Sequence, residues 1–223
     1  MIECYIKGCM DLDDPFYVPE ILSGLSDDRR NRIMKYKMPN DRKRGLQAGI
    51  MIRDILKVHG RSQDEIIVSD NGRPTIEGLD FNISHSGKYV MMVISDNKVG
   101  CDIERIKGRN YSVAKRYFSE GEKNYLDEFT DKDLSFYRIW TARESYIKYT
   151  GEGILLDFTK YEVNILDDIE DYEDILPSNI CSGEYLGLVS INREDSLQNV
   201  IIKQWLYDNK YVASVCVSKK ELK

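Results

Sequence analysis

The chain is poor in the residues that staple or punctuate small proteins. It holds five prolines and five cysteines, and Cys4, Cys9, Cys101, Cys181 and Cys216 are scattered, with no C-x-x-C pair among them. That excludes a disulfide framework and a zinc site of the usual spacing, and reads as free thiols in a reducing compartment. Long apolar runs are missing as well. The clearest, Tyr89 to Ile94, is far too short to span a bilayer, so no membrane partner is expected. The opening Met-Ile-Glu-Cys-Tyr lacks the basic flank and apolar core of a secretion signal, and a cytoplasmic location is expected. There is no G-x-S-x-G elbow, no Walker A lysine loop and no G-x-G-x-x-G turn, so any phosphate must be held by side chains. Positive charge is in deficit: a net charge of -6 argues against non-specific nucleic-acid binding.

The 42% hydrophobic and 31% charged content is that of an ordinary globular protein, with nothing to suggest disorder. Its charge is unevenly spread. Residues 29 to 44 carry Arg29, Arg30, Arg32, Lys35, Lys37, Arg42, Lys43 and Arg44 against only Asp41. A basic patch on an acidic protein suits a small polyanion.

Hydrophobic spacing predicts a strand over 2–10, a helix capped by Ser26, and a second helix over 41–58 closing at Gly60. A short strand at 66–68 precedes the Asp70-Asn71-Gly72-Arg73-Pro74 turn. Strands over 81–84 and 89–95 flank a Ser-His-Ser-Gly bend at 84–87, and 98–104 returns as another. Helices follow at 111–118, 120–129 and 134–149, the last ending at Gly151, then strands near 160–166, 184–191, 199–206 and 211–217. The acidic stretch Asp167 to Asp174 reads as a solvated loop. The class is α+β. Two halves, 1–104 and 105–223, each run strand, helices, strands, without a convincing internal sequence repeat.

Val99-Gly100-Cys101-Asp102-Ile103-Glu104 is the most informative segment. Strand alternation puts Asp102 and Glu104 on one face, and Cys101 and Ile103 on the other. Paired carboxylates either hold a cation such as magnesium or form a solvent-facing acidic edge, and this segment alone suits both. Glu144 and Lys148, four apart, share a helical face, as an ordinary surface ion pair does. Trp140 and Ile147 mark that helix as partly buried, and a buried Glu and Lys need partners. His59 sits at a helix end, and His85 in a bend where an anion or a plain hydrogen-bonded turn both fit.

The segments occur in one order: the basic stretch, Asn-Gly-Arg-Pro, Phe-Asn-Ile-Ser-His-Ser-Gly, Val-Gly-Cys-Asp-Ile-Glu, Phe-Ser-Glu-Gly-Glu, and Trp-Thr-Ala-Arg-Glu-Ser-Tyr-Ile-Lys. That order resembles the 4'-phosphopantetheinyl transferase superfamily, of the surfactin-synthetase-activating type, over most of residues 20–165. The family shows G-[IV]-D-[IV]-E, then W-x-x-K-E-[SA]-x-x-K about forty residues on. Cys101 departs from Ile or Val, and Arg143 from Lys.

The resemblance implies a pseudo-twofold α+β fold, active as a monomer, with coenzyme A in the cleft between the halves. It implies transfer of the 4'-phosphopantetheine arm to a serine of an apo acyl or peptidyl carrier protein, releasing 3',5'-ADP. Asp102, Glu104 and Glu144 match the family's magnesium ligands (manganese is the substitute). Lys148 matches the lysine on the coenzyme A phosphates, Ser84 and His85 the pair near the adenosine 3'-phosphate, and Arg29, Arg32, Arg44 and Arg73 basic positions around the nucleotide. Glu122 matches an acidic residue proposed as a base in some members, with Glu144 the other choice. A metal-dependent phosphodiesterase and a coenzyme A-binding regulatory module without transfer are the alternative readings.

Overall fold

The computed structural model describes residues 1–11, 13–15, 19–108, 111–153, 161–166, 183–193 and 200–219. The acidic stretch 167–174 lies outside the described residues.

Strand β1 (Ile2–Gly8) leads to three helices, α1 (Pro19–Ser23), α2 (Asp27–Lys35) and α3 (Pro39–Val58). Ser26 caps α2, accepting from Arg29 N, and Pro39 stands in the first turn of α3, where its missing N–H costs nothing. The short β2 (Ile67–Val68) and β3 (Pro74–Thr75) pair with each other, and the hairpin β4 (Asp80–Ser86) and β5 (Tyr89–Ser95) follows. The second half runs β6 (Val99–Arg105), α4 (Ser112–Tyr117), α5 (Glu120–Glu128), α6 (Lys132–Thr150), β7 (Tyr161–Leu166), β8 (Glu184–Arg193), β9 (Val200–Tyr207) and β10 (Tyr211–Ser218).

The strands form antiparallel sheets in the orders β1-β5-β4 and β6-β10-β9-β8-β7. The halves repeat one plan. A first strand is followed by helices, and then pairs with the last strand of a closing hairpin: β1 with β5, and β6 with β10. The class is α+β, as the composition of elements predicts.

Strand alternation layers the core. On β5, Val90, Met92 and Ile94 face Ala48, Ile52 and Leu56 of α3, whereas Met91 and Val93 face the second sheet. There they meet Val99, Cys101 and Ile103 of β6, with Trp205 and Val215 behind. On the far side of the second sheet α6 packs through Phe136, Ile139 and Tyr146. The order of layers is therefore α3, sheet, sheet, α6.

Two details differ from expectation. His85 and Ser86 belong to β4, paired with Val90 and Tyr89, so the bend is the two-residue turn Gly87-Lys88. Gly87, at φ +55, takes the positive torsion that the first position of such a turn requires. And β6 pairs with β10 in the second sheet, so the expected boundary at 104/105 falls at the end of a strand belonging to the second half.

Candidate active site

β4 and β6 lie side by side without a backbone ladder. Alternate side chains of β4 do the joining instead. Asp80 Oδ2 accepts from Val99 N (2.9 Å), Asn82 Oδ1 from Cys101 N (3.0 Å) and Ser86 Oγ from Arg105 N (3.1 Å). Ser84 Oγ donates to Asp102 Oδ1 and Ser86 Oγ to Glu104 Oε2, each at 2.6 Å. The seam closes a gap between the halves with polar groups, which leaves both carboxylates facing away from the core.

On the other side of β6 stands α6. A Cβ on Gly100 would lie 2.1 Å from Ser145 O and 2.6 Å from Tyr149 N. Only a glycine lets the helix come this close, and the approach brings Glu144 and Lys148 over Asp102 and Glu104. The first half also grips the C-terminus of α6. Asn71 Nδ2 donates to Gly151 O (3.1 Å), Lys98 Nζ to Thr150 O (3.0 Å), and Arg73 to Lys148 O and, at 2.8 Å, to Val99 O. Two cations at the negative end of a helix favour its dipole, and Gly151, at φ +78, closes the helix.

A cavity of about 550 Å³ opens between the halves. Its wall includes Arg29, Arg32, Arg73, Ser84, His85, Asp102, Glu104, Glu144 and Lys148. Nine residues expected at a site from sequence therefore share one cavity. Arg44 and Glu122 are not on its wall. Arg44 donates to Gly87 O (3.1 Å) and pairs with Asp41, yet it lies near enough to His85 to depress its imidazole. Glu122 is sealed in the second half. Its oxygens take Arg143 Nε at 3.0 Å, Val163 N at 2.8 Å and Ser119 N at 2.8 Å. The carboxylate expected as a base is thus buried, occupied and off the cavity wall.

The cavity has two poles. At one end Arg29 and Arg32 stand three apart on α2, and among the described residues neither has an ion-pair partner. Burial, and then the charge of Arg32, hold the Arg29 guanidinium below its usual value. Two guanidiniums in this position suit a phosphate. Half-buried Tyr36 lies beside them, given room by Gly45, where a Cβ would stand 2.9 Å from the ring.

At the other end Asp102 and Glu144 act on one ammonium, with Glu104 near enough to act on Glu144. Lys148 Nζ donates to Asp102 Oδ1 (2.6 Å) and Ser84 Oγ (2.9 Å). Burial works against the charge on Lys148, but Asp102 and Glu144 outweigh it and hold the ammonium above its ordinary value. Glu144 is pushed up by burial, then by Asp102 and Glu104, and only partly relieved by Lys148. Asp102 is 3% exposed, and its Oδ2 is buried with no hydrogen-bond partner. Among the described residues no three acidic, histidine or cysteine side chains converge tightly enough to hold an ion as they stand. The donor set fits a hard divalent cation in kind: oxygen ligands only, negative charge in excess, and one buried oxygen lacking a partner.

Ser84 and His85, expected together at the nucleotide, point to opposite faces of β4. Ser84 is buried against Asp102, whereas His85 has its outer edge in solvent, and desolvation of the rest of the ring, then Arg44 and Lys148, lower its imidazole. Arg73 reaches the wall with its guanidinium already engaged by Asp80, Val99 O and Lys148 O. Sequence reading missed Asn71, Lys98, Asn82 and Ser86. The period of two along β4 carried the signal for the last two, since it sets Asn82, Ser84 and Ser86 on one face.

Comparison with known proteins follows the same segments. A family model described as the 4'-phosphopantetheinyl transferase superfamily matches residues 98–216, and one described as 4'-phosphopantetheinyl transferase, N-terminal, matches 18–97. The chain is 29% identical over 208 residues to 4'-phosphopantetheinyl transferase Sfp of Bacillus subtilis, covering 88% of this chain and 84% of that one. It is 25% identical over 203 residues to 4'-phosphopantetheinyl transferase psf-1 of Bacillus pumilus (87% and 79% covered). Against 4'-phosphopantetheinyl transferase gsp of Aneurinibacillus migulanus the identity is 30% over 148 residues (64% and 62%). Among the described residues no helix is long and apolar enough to cross a membrane.

Proposed function

This chain belongs to the 4'-phosphopantetheinyl transferase superfamily, and from that premise we propose that it transfers the 4'-phosphopantetheine arm of coenzyme A to a serine hydroxyl of an apo acyl or peptidyl carrier protein. The observation that carries the reading is the two-pole cavity. Arg29 and Arg32, without an ion-pair partner among the described residues, stand at one end, and Asp102, whose buried Oδ2 has no hydrogen-bond partner among them, at the other. A molecule with a terminal phosphate and an internal pyrophosphate, such as coenzyme A, matches that spread of charge.

Arg29 and Arg32 hold the nucleotide 3'-phosphate by charge-assisted hydrogen bonds, with His85 and Arg44 close by. Asp102, Glu104 and Glu144 would hold magnesium, which when bound neutralises pyrophosphate charge and polarises the phosphoryl oxygens. Lys148, kept charged by Asp102 and Glu144, lies where it can stabilise negative charge growing on the β-phosphoryl oxygens. Glu144, its pKa raised by burial and by like charges, is the base for the carrier's serine proton. The serine oxygen bonds to the β-phosphorus, the phosphorus–oxygen bond to the nucleotide breaks, and 3',5'-ADP departs with the electron pair. No covalent enzyme intermediate is needed, because positioning and electrostatics suffice for such a transfer. Both walls of the cavity come from one chain, which supports a monomer as the active unit.

The test is the intact mass of apo carrier protein incubated with this enzyme, coenzyme A and magnesium, with and without a chelator. A gain of one phosphopantetheine arm, lost with the chelator, is the expected result. Hydrolysis of coenzyme A without any gain on the carrier overturns the reading in favour of a phosphodiesterase.

A further inference from the structure

Ser86 is absent from the cavity wall, and the proposed chemistry gives it no part, yet its hydroxyl is one of the most constrained groups near the site. Its oxygen accepts from Arg105 N at 3.1 Å. An amide nitrogen can only donate, so the one hydroxyl proton is free to go elsewhere, and it goes to Glu104 Oε2 at 2.6 Å. The direction of the bond is thus set by the backbone of β6 itself. The turn that follows Ser86 is pinned from two sides. Arg44 of α3 donates to Gly87 O at 3.1 Å, and the Tyr211 hydroxyl of β10 accepts from Lys88 N at 3.4 Å. A Cβ on Gly87 would lie 2.5 Å from that hydroxyl, so turn and tyrosine sit in direct contact. Ser86 is therefore held by the chain around it, and not by Glu104 alone.

Two residues earlier on both strands the same bond recurs, from Ser84 Oγ to Asp102 Oδ1. Each carboxylate of the pair has one oxygen held by a serine of β4. On Asp102 the second oxygen is the buried one that lacks a partner. Asp102 is short and is gripped by Lys148 as well, whereas Glu104 is longer, half-buried, and has more rotamers to lose.

We infer that Ser86 is a positioning residue for Glu104, fixing that carboxylate in the orientation from which it binds a divalent cation. The inference rests on the metal role proposed above for Asp102, Glu104 and Glu144. It places Ser86 in the class of groups that orient a ligand through its second oxygen, whose removal typically weakens metal affinity about 10- to 100-fold.

The test uses manganese as the probe, with the free ion followed by electron paramagnetic resonance in the full-length protein. Ser86→Ala is expected to weaken manganese binding about 10-fold and to raise the magnesium concentration for half-maximal transfer by a like factor. Coenzyme A affinity measured without metal, and the melting temperature, are expected to stay at the wild-type values. Ser86→Thr keeps the hydroxyl and is expected to restore metal binding. Unchanged manganese affinity in Ser86→Ala overturns the inference. So does a parallel fall of metal affinity, coenzyme A affinity and melting temperature, which marks a merely structural serine. Equal manganese binding by wild type and Glu104→Gln defeats the metal role itself, and that result is distinct from failure at Ser86 alone.

Discussion

Glu122 and Arg143 form a two-pronged ion pair, Nε to Oε1 at 3.0 Å and Nη2 to Oε2, with both side chains wholly sealed from solvent. Arg143 immediately precedes Glu144 on α6, and Glu122 closes the capping box that starts α5. The pair therefore ties α5 to the helix that carries Glu144 and Lys148. Phe118 and Tyr161 flank the guanidinium with their ring faces.

Breaking such a pair from one side strands a buried charge and costs about 3–5 kcal/mol. Glu122→Ala is expected to lose stability on that order in urea denaturation. The folded fraction, assayed at low temperature, should keep the wild-type pH dependence of transfer. Loss of one limb of the pH profile at full stability would restore Glu122 as the base.

The raised pKa of Glu144 has a consequence for the metal-free protein. A carboxyl whose folded pKa lies above its unfolded value, near 4.5, favours folding fully only below that unfolded value. The contribution is lost as pH rises through the folded pKa, because the fold must then hold a third charge beside Asp102 and Glu104. Glu144→Gln removes that burden. The variant is expected to melt above the wild type at neutral pH without metal, with the gap closing as the pH is lowered through the Glu144 transition. Transfer should be abolished. Thermal melts from pH 4 to 8 check the sign, and a variant less stable than wild type at pH 7 would refute it.

Why some of this was legible in the sequence, and some not, follows from range. Strand alternation at 101–104 and helical spacing at 144 and 148 are local, and both correctly placed their side chains. The ends of α2, α3 and α6 were legible in Ser26, Gly60 and Gly151, where cap chemistry lies within a turn of the helix. The burial of Glu122 was not legible, because nothing local distinguishes a carboxylate facing a cavity from one facing a buried arginine 21 residues away. The allegiance of β6 to the second sheet depends on a partner strand more than a hundred residues on, Tyr211 to Val217. The clamp of Asn71, Arg73 and Lys98 on the end of α6 is likewise long-range: the 70–74 segment read as a turn, with Arg73 expected at the nucleotide.

Gly100 is where β6 and α6 come into close backbone contact. The atoms that a Cβ would strike, Ser145 O and Tyr149 N, belong to the backbone and cannot rotate away. Gly100→Ala must push α6 off β6, and overpacking of this kind costs about 1–3 kcal/mol or more. The shift moves Glu144 and Lys148 relative to Asp102. Activity is expected to fall further than stability explains, since misplacement of about 1 Å can cost about 10²-fold in rate. Comparing kcat at a temperature where the variant is fully folded with its urea midpoint separates the two losses. A wild-type kcat in a destabilised protein would show that the helix tolerates the displacement.

The arginine pole makes a different prediction, because the proposed function sets it at the nucleotide and not at the reacting bond. Arg29→Gln and Arg32→Gln each remove one guanidinium from the phosphate end. Arg29 is half-buried beside Arg32, and each lowers the cost of losing the other by relieving their mutual repulsion. The single variants are expected to raise KM for coenzyme A while leaving kcat near wild type, the signature of binding lost equally from ground and transition states. A charge-assisted hydrogen bond contributes about 1.5–3 kcal/mol, so KM should rise on the order of 10- to 100-fold. Dephospho-coenzyme A, which lacks the 3'-phosphate, supplies the control. If the arginines hold that phosphate, wild type and variants should bind the dephosphorylated substrate alike. A variant that loses affinity equally for both substrates would place Arg29 and Arg32 against some other part of the molecule.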